Sequence, residues 1–312
     1  MTLTDEYLSY PARRYGMDHS LYPWSDLLER SVVKWPNDAR VALWVTPILQ
    51  WFPLNAPAKP FRPTGGLTMP YPDFRHYSGR DYGNRVGIFR ILEVLKELNI
   101  PASVALNSAI ARRYPALMEH LQSHNVAYIA HGVDMGHLHY TGLSAADESA
   151  QIVESLQTLR EATGQPVKGW LSPGRSQSFN TPSLLARHGI EYCCDWVNDD
   201  MPYAMQTDEG VLYSMPLEHE SSDLSLTFDF FQDEEEWLRQ TKARFDVLYR
   251  ESLQYGGRVV SVPLHAWISG VPYRIGKVRE ALSYMLAHEG VWAATAGEIL
   301  TAFRPAGELP DA

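Results

Sequence analysis

Cysteine is nearly absent from this chain: its 312 residues hold two, Cys193 and Cys194, side by side. Neighbouring residues rarely reach disulfide geometry, so both are read as free thiols, which fits a reducing compartment. Basic runs are also missing, and acids outnumber bases to give a net charge of −10. Nucleic acid and anionic membranes both need a positive surface, so neither is expected as a partner. No apolar run approaches the length of a membrane span, and Met1 to Tyr7 lack the basic and apolar blocks of a signal peptide. A cytoplasmic protein with a small-molecule substrate is therefore expected. The chain also lacks a Gly-x-Ser-x-Gly elbow and a glycine-rich phosphate loop, the usual marks of serine hydrolases and nucleotide binders.

What is present is an apolar fraction of 45%, enough for a large core. Residues 1–38 read as an arm, with Tyr10-Pro11, Tyr22-Pro23-Trp24 and Trp35-Pro36 favouring extended chain. Residues 39–303 read as one domain and 304–312 as a polar tail. A first strand, Arg40 to Val45, runs into a proline-rich stretch that reads as a long irregular insertion to about Gly83. Helical spacing follows over 85–98, 108–123, 144–164, 181–188, 233–254, 274–287 and 296–303. Between them lie strand candidates at 101–106, 126–130, 167–171, 191–194, 211–215, 258–264 and 291–294. Such alternation predicts a parallel sheet or barrel with right-handed crossovers.

Polar groups recur just after these strands. His131 follows the third, Arg175 the fourth, Asp195 the fifth, and His265 ends the run Val259 to Leu264. In a barrel such strand ends converge on one face, so residues far apart in sequence share a pocket. The richest stretch is Tyr128 to Tyr140, with His131, Asp134, His137 and His139. Imidazoles beside carboxylates suit proton transfer or metal ligation, and an arginine suits holding a carboxylate or oxyanion.

The motifs Gly169-Trp-Leu-Ser-Pro-Gly-Arg175, Asn180-Thr-Pro, Tyr192-Cys-Cys-Asp195-Trp-Val-Asn-Asp-Asp200-Met-Pro202 and Pro263-Leu-His265 keep a recognisable order. In them the chain resembles the polysaccharide deacetylase (NodB-homology) superfamily over about residues 35 to 303. It looks closest to the branch containing the cofactor-independent allantoinase. The resemblance implies a distorted (β/α) barrel of about seven parallel strands and a homo-oligomer. By position, His131-Gly132 is similar to the family's histidine motif, Arg175 to its orienting arginine, and His265 to the histidine that protonates the leaving group. Asp195, Asp200 and Asp223 match acidic positions of the allantoinase-like branch.

Two departures matter. Gln50 stands where the metal-dependent members carry a first-strand acid, and Met135 stands at the second metal histidine. An amide is a poor zinc ligand and cannot take a proton at neutral pH. No cofactor is therefore expected, with a Zn2+ or other divalent site at His131, His137 and His139 as the lesser alternative. The reading favoured by the residues is a hydrolase of carbon–nitrogen bonds in a small, cyclic amide, imide or ureide. His131, Arg175, Asp195 and His265 are its expected catalytic groups. Water would be activated by His131, Asp134 or Asp195, and the oxyanion held by Gln50, Arg175 or backbone N–H groups. Gln50, Asp134, His137, Trp170, Asp200 and Trp267 are expected to bind substrate. The alternatives are a metal-dependent carbohydrate N- or O-deacetylase, and a non-catalytic binder on the same scaffold.

Overall fold

The computed structural model describes residues 15–55 and 60–304. The start of the expected arm and all but the first residue of the expected tail lie outside them. Among the described residues nine strands form one sheet: β1 (Val41–Leu49), β2 (Ser103–Leu106), β3 (Ala127–Ala130), β4 (Gly169–Trp170), β5 (Tyr192–Cys193), β6 (Tyr203–Thr207), β7 (Gly210–Ser214), β8 (Arg258–His265) and β9 (Val291–Ala293). Their order is β6-β7-β5-β4-β3-β2-β1-β8, with β9 also on β1. Of these described strands only the β6–β7 pair is antiparallel. The sheet curls into the distorted (β/α) barrel that the resemblance implied, with nine strands among the described residues in place of about seven.

All nine residues of β1 are buried, as befits an apolar run inside a parallel sheet. Strand β8 follows β1 from Val41↔Arg258 to Ile48↔His265. The other edge of β1 is shared, by β9 at Val41 to Leu43 and by β2 at Ile48 and Leu49. Strands β2 to β5 then continue in parallel, with Leu106↔Ala130, Ala130↔Trp170 and Trp170↔Cys193 in register. The carboxyl ends of β1, β2, β3, β4, β5 and β8 are thereby brought level. The edge strands of the sheet, β6 and β8, do not pair, so the barrel stays open. Past the end of β7 the Ser261 hydroxyl of β8 donates to Pro216 O (2.6 Å) and accepts from Glu218 N (2.9 Å), so a side chain stands where a strand ladder would close it.

The helices are α1 (Phe74–Tyr82), α2 (Ile88–Glu97), α3 (Ser108–Arg113), α4 (Pro115–Ser123), α5 (Ala145–Thr163), α6 (Thr181–Arg187), α7 (Asp223–Phe228), α8 (Glu234–Tyr255), α9 (Ala266–Ser269), α10 (Pro272–Leu286) and α11 (Ala296–Phe303). Several elements differ from expectation, some of them for plain local reasons. Helix α1 lies inside the stretch read as irregular, capped by Asp73, whose side chain accepts from His76 N. Its sequence, FRHYSGRDY, has too little apolar period to announce a helix. A π-helical turn, Gly83–Gly87, joins it to α2. The helix expected over 108–123 is broken at Tyr114-Pro115, where Tyr114 leaves the helical region (φ −126°, ψ 67°); a residue before proline is pushed that way. Strand β6 was not anticipated, because Asp208-Glu209-Gly210 turns it back onto β7 as a hairpin with mixed burial.

No helix among the described residues is long and apolar enough to cross a membrane. The described part of the arm lies along the body. Trp35 Nε1 donates to Arg258 O (2.9 Å), and Arg30 pairs with Asp199 (2.7 Å).

Candidate active site

A cavity of about 250 Å³ opens at the level strand ends. Gln50, His131, Arg175 and His265 line it together, joined by Ser172, His219, Glu218 and the insertion residues Phe61 to Thr64. Three of the four groups expected to converge from the strand ends, His131, Arg175 and His265, thus meet here, with Gln50 from the end of β1 beside them.

His265 is the best defined of them. Its Nδ1 lies 2.7 Å from Asp223 Oδ1, and its backbone N donates to Asp223 Oδ2 at 2.7 Å. The Ser269 hydroxyl donates to Oδ2 as well (2.6 Å). Three donors around one buried carboxylate hold it as an acceptor, so Nδ1 carries the ring proton of a neutral His265. Nε2 then has no partner among the described residues and is left to the cavity.

His131 sits on a rigid corner. Its Nδ1 donates to Leu171 O (2.7 Å), which leaves Nε2 as an acceptor facing Gln50 Nε2 at 3.3 Å. Asn107, just past β2, ties the neighbouring ends: it donates to His131 O and accepts from Trp51 N (2.7 Å). Gly132 has φ +67°, and a Cβ there would fall 2.5 Å from Pro173, so only glycine lets the loops after β3 and β4 meet. Burial holds the His131 pKa down at about 4, against a lesser upward pull from the Leu171 carbonyl. His131 is therefore a neutral ring at physiological pH.

Arg175 borders the cavity, yet its guanidinium is spent on three backbone carbonyls: Cys194 (2.6 Å), Leu217 (3.0 Å) and Glu218 (2.9 Å). It fastens the loops after β5 and β7 to the loop after β4. Asp195 does not line the cavity. It stands behind Ser172, accepting from Ser172 N (2.7 Å), Ser172 Oγ (2.7 Å) and Gln177 Nε2 (2.6 Å). Burial raises its pKa, and those hydrogen bonds oppose the rise.

Several expected substrate contacts are elsewhere. Asp134 accepts from Gly136 N (2.8 Å) and pairs with His137 (2.7 Å), a local turn outside the cavity. Trp170 is wholly buried and donates to Ser172 Oγ (2.9 Å), so it is core. Asp200 lines a second, larger cavity of about 710 Å³ beside the open seam. Trp267 lies behind Gln50 and donates to its Oε1 at 2.9 Å. The sequence reading missed Glu218, His219, Ser222 and Arg62, which reach the cavity from loops without strand or helix period. Burial alone would raise Glu218, but Arg244 and the backbone N–H groups of His219 and Ser221 bring it below the usual range.

The metal of the family's metal-dependent members has no fitting donor set among the described residues. Gln50 offers an amide held on both sides, and Met135 packs with Phe52 and Leu67. The alternative set is not brought together either. His137 turns to Asp134, while His139 is buried 3.3 Å from Glu148. Among the described residues no three His, Cys, Asp or Glu side chains are gathered as metal ligands.

The polysaccharide deacetylase family profile matches residues 79–193, which span β2 to β5 and both loops that carry His131 and Arg175. The matched stretch is similar to a polysaccharide deacetylase domain. A Schizosaccharomyces pombe protein that bears the polysaccharide deacetylase name is 24% identical over 242 residues, 72% of this chain and 74% of its own. Among solved structures, a probable polysaccharide deacetylase from Pseudomonas aeruginosa PAO1 superposes with a TM-score of 0.77 at 25% identity, covering 90% of this chain and 98% of that one. The PuuE allantoinase superposes equally well (TM-score 0.77, 23% identity, 90% and 97% covered), which shows that the fold is shared. These likenesses agree with the curled, mostly parallel sheet described above.

Proposed function

We propose that this protein hydrolyses a carbon–nitrogen bond in a small amide, imide or ureide by acid–base catalysis without a metal. The observation that carries the reading is the His265–Asp223 pair on the cavity wall. With Nδ1–H committed to Asp223, the Nε2 of His265 takes a proton from water as its oxygen attacks the carbonyl carbon. Asp223 steadies the resulting imidazolium. That proton then passes to the leaving nitrogen as the C–N bond breaks, which restores neutral His265. N–H donors at the cavity wall meet the charge that develops on the carbonyl oxygen. In this scheme His265 takes the base role first expected of His131, Asp134 or Asp195. Two of those do not line the cavity, and His131 is a very weak base.

The family name supports a second reading, a carbohydrate deacetylase that requires a divalent metal. One screen separates the two: cyclic imides, ureides and acetamido sugars, each with added divalent metal and with chelator. Turnover of a small amide is expected, indifferent to chelator and abolished by His265→Ala with the fold intact. Turnover confined to acetamido sugars and dependent on added metal would establish the second reading. No turnover anywhere in the panel would leave a binding protein.

A further inference from the structure

The indole N–H of Trp267 can only donate, and it sits 2.9 Å from Gln50 Oε1. The carboxamide of Gln50 therefore has its oxygen toward Trp267 and its NH2 toward His131, whose Nε2 lies 3.3 Å away. At the far end His131 Nδ1 faces a carbonyl, Leu171 O, which can only accept (2.7 Å). Fixed polarity at both ends leaves one proton arrangement for the whole row. Trp267 donates to Gln50, Gln50 to His131, and His131 to Leu171. One N–H of Gln50 is used on His131. Its second has no partner among the described residues, and Gln50 lines the cavity.

We propose that this second N–H receives the substrate's carbonyl oxygen, and that Trp267 is a positioning residue acting through Gln50. The proposal rests on the hydrolytic reading above and assigns the oxyanion donor within it. Trp267 is well held for the task. The Arg80 guanidinium lies 3.9 Å over its ring while Arg80 Nε donates to Gly65 O (2.7 Å) in the insertion. Phe228 packs on the ring at 5.1 Å. Gln50 is anchored from its own backbone, since Asn84 Nδ2 donates to Gln50 O at 3.0 Å. The meeting follows from strand register: Ile48 pairs with His265, and Gln50 and Trp267 each stand two residues further on.

Without the indole N–H the amide is free to turn over. Its oxygen would then face the Nε2 lone pair of His131, a repulsive contact relieved only when Nε2 takes up a proton. Trp267→Phe should therefore change two things at once: the cavity donor and the protonation of His131.

The test uses 15N-labelled full-length protein, with the His131 ring signals assigned by their loss in His131→Gln. In the wild type the neutral Nδ1–H tautomer is expected from about pH 8 down to about pH 5. In Trp267→Phe, with near-UV circular dichroism confirming the fold, Nε2 is expected to be protonated across part of that range. On the amide identified by the screen, kcat should fall about 10²-fold, with KM within about threefold. A wild-type Nε2–H tautomer overturns the arrangement. A Trp267→Phe protein with unchanged His131 signals, or with kcat within about threefold of wild type, overturns the positioning role. If no amide is turned over, the hydrolytic reading fails, the oxyanion-donor assignment fails with it, and the ring signals alone decide the proton arrangement.

Discussion

Replacing Asp223 by Asn changes one atom in the reading of the site and should invert a tautomer. The carboxylate accepts His265 N (2.7 Å) and Ser269 Oγ (2.6 Å) on Oδ2, and His265 Nδ1 (2.7 Å) on Oδ1. An asparagine keeps two of these bonds if its oxygen takes the Oδ2 place, and its NH2 then points at Nδ1. Nδ1 must become the acceptor, so the ring proton moves to Nε2, the nitrogen needed as a base. Loss of one charge-assisted bond at a buried site costs about 1–3 kcal/mol, so the domain should fold. The kcat loss should be larger, on the order of 10³-fold, because the wrong tautomer cannot take water's proton. Urea unfolding gives the first quantity, steady-state kinetics the second, and 15N ring shifts of His265 report the tautomer directly. A folded variant whose His265 stays Nδ1–H, or whose kcat falls less than about tenfold, refutes the reasoning.

His131 gives a pH prediction with a definite sign. Its folded pKa, about 4, lies below the ordinary histidine value of about 6.5, so only the unfolded chain takes up a proton as pH falls through that window. Its contribution is intact above about pH 6.5 and drains away toward pH 4, by up to ~3 kcal/mol. His120, His188 and His219 are lowered too, mainly by burial, and His137 is raised by its bond to Asp134, so the decisive quantity is the change in slope of urea stability against pH on His131→Gln. Arg175→Lys should destabilise by about 2–3 kcal/mol in denaturant unfolding, since an ammonium cannot reach three carbonyls as the guanidinium fork does. Gly87→Ala would set a Cβ 2.0 Å from Ala266 O, forcing α9 outward; a loss of about 3 kcal/mol or more is expected by the same measurement.

The strand ends were the legible part of this molecule. A buried parallel strand is an apolar run with a definite stop, so His131, Arg175 and His265 could be placed from sequence at level ends, and the structure puts them on one cavity. What the sequence could not show is which way a polar group faces once the chain turns. Asp134 and His137 satisfy each other three residues apart, as Asp and His readily do in a turn. Trp170 follows strand period faithfully, and that period carries it into the core. The sequence marks Asp223 only as an acidic position of the family branch, with no partner named. Only the approach of α7 to the end of β8 makes it the partner of His265. The same holds for Gln50 and Trp267, 217 residues apart and joined by register alone.

The two departures from the metal-dependent pattern have a use in common. Gln50, at the place of a first-strand acid, is held between Trp267 and His131 with an N–H left over. Met135, at the place of a ligating imidazole, packs with Phe52 and Leu67 and so helps seat the insertion that borders the cavity. A carboxylate at position 50 would face the His131 lone pair and pull a proton onto that ring, while a histidine at 135 would bury a polar ring in an apolar cluster. Neither residue is an isolated loss. Together they leave this part of the cavity wall uncharged with one Gln50 N–H free, a charge state that in the proposed reaction favours a developing oxyanion over a bound cation.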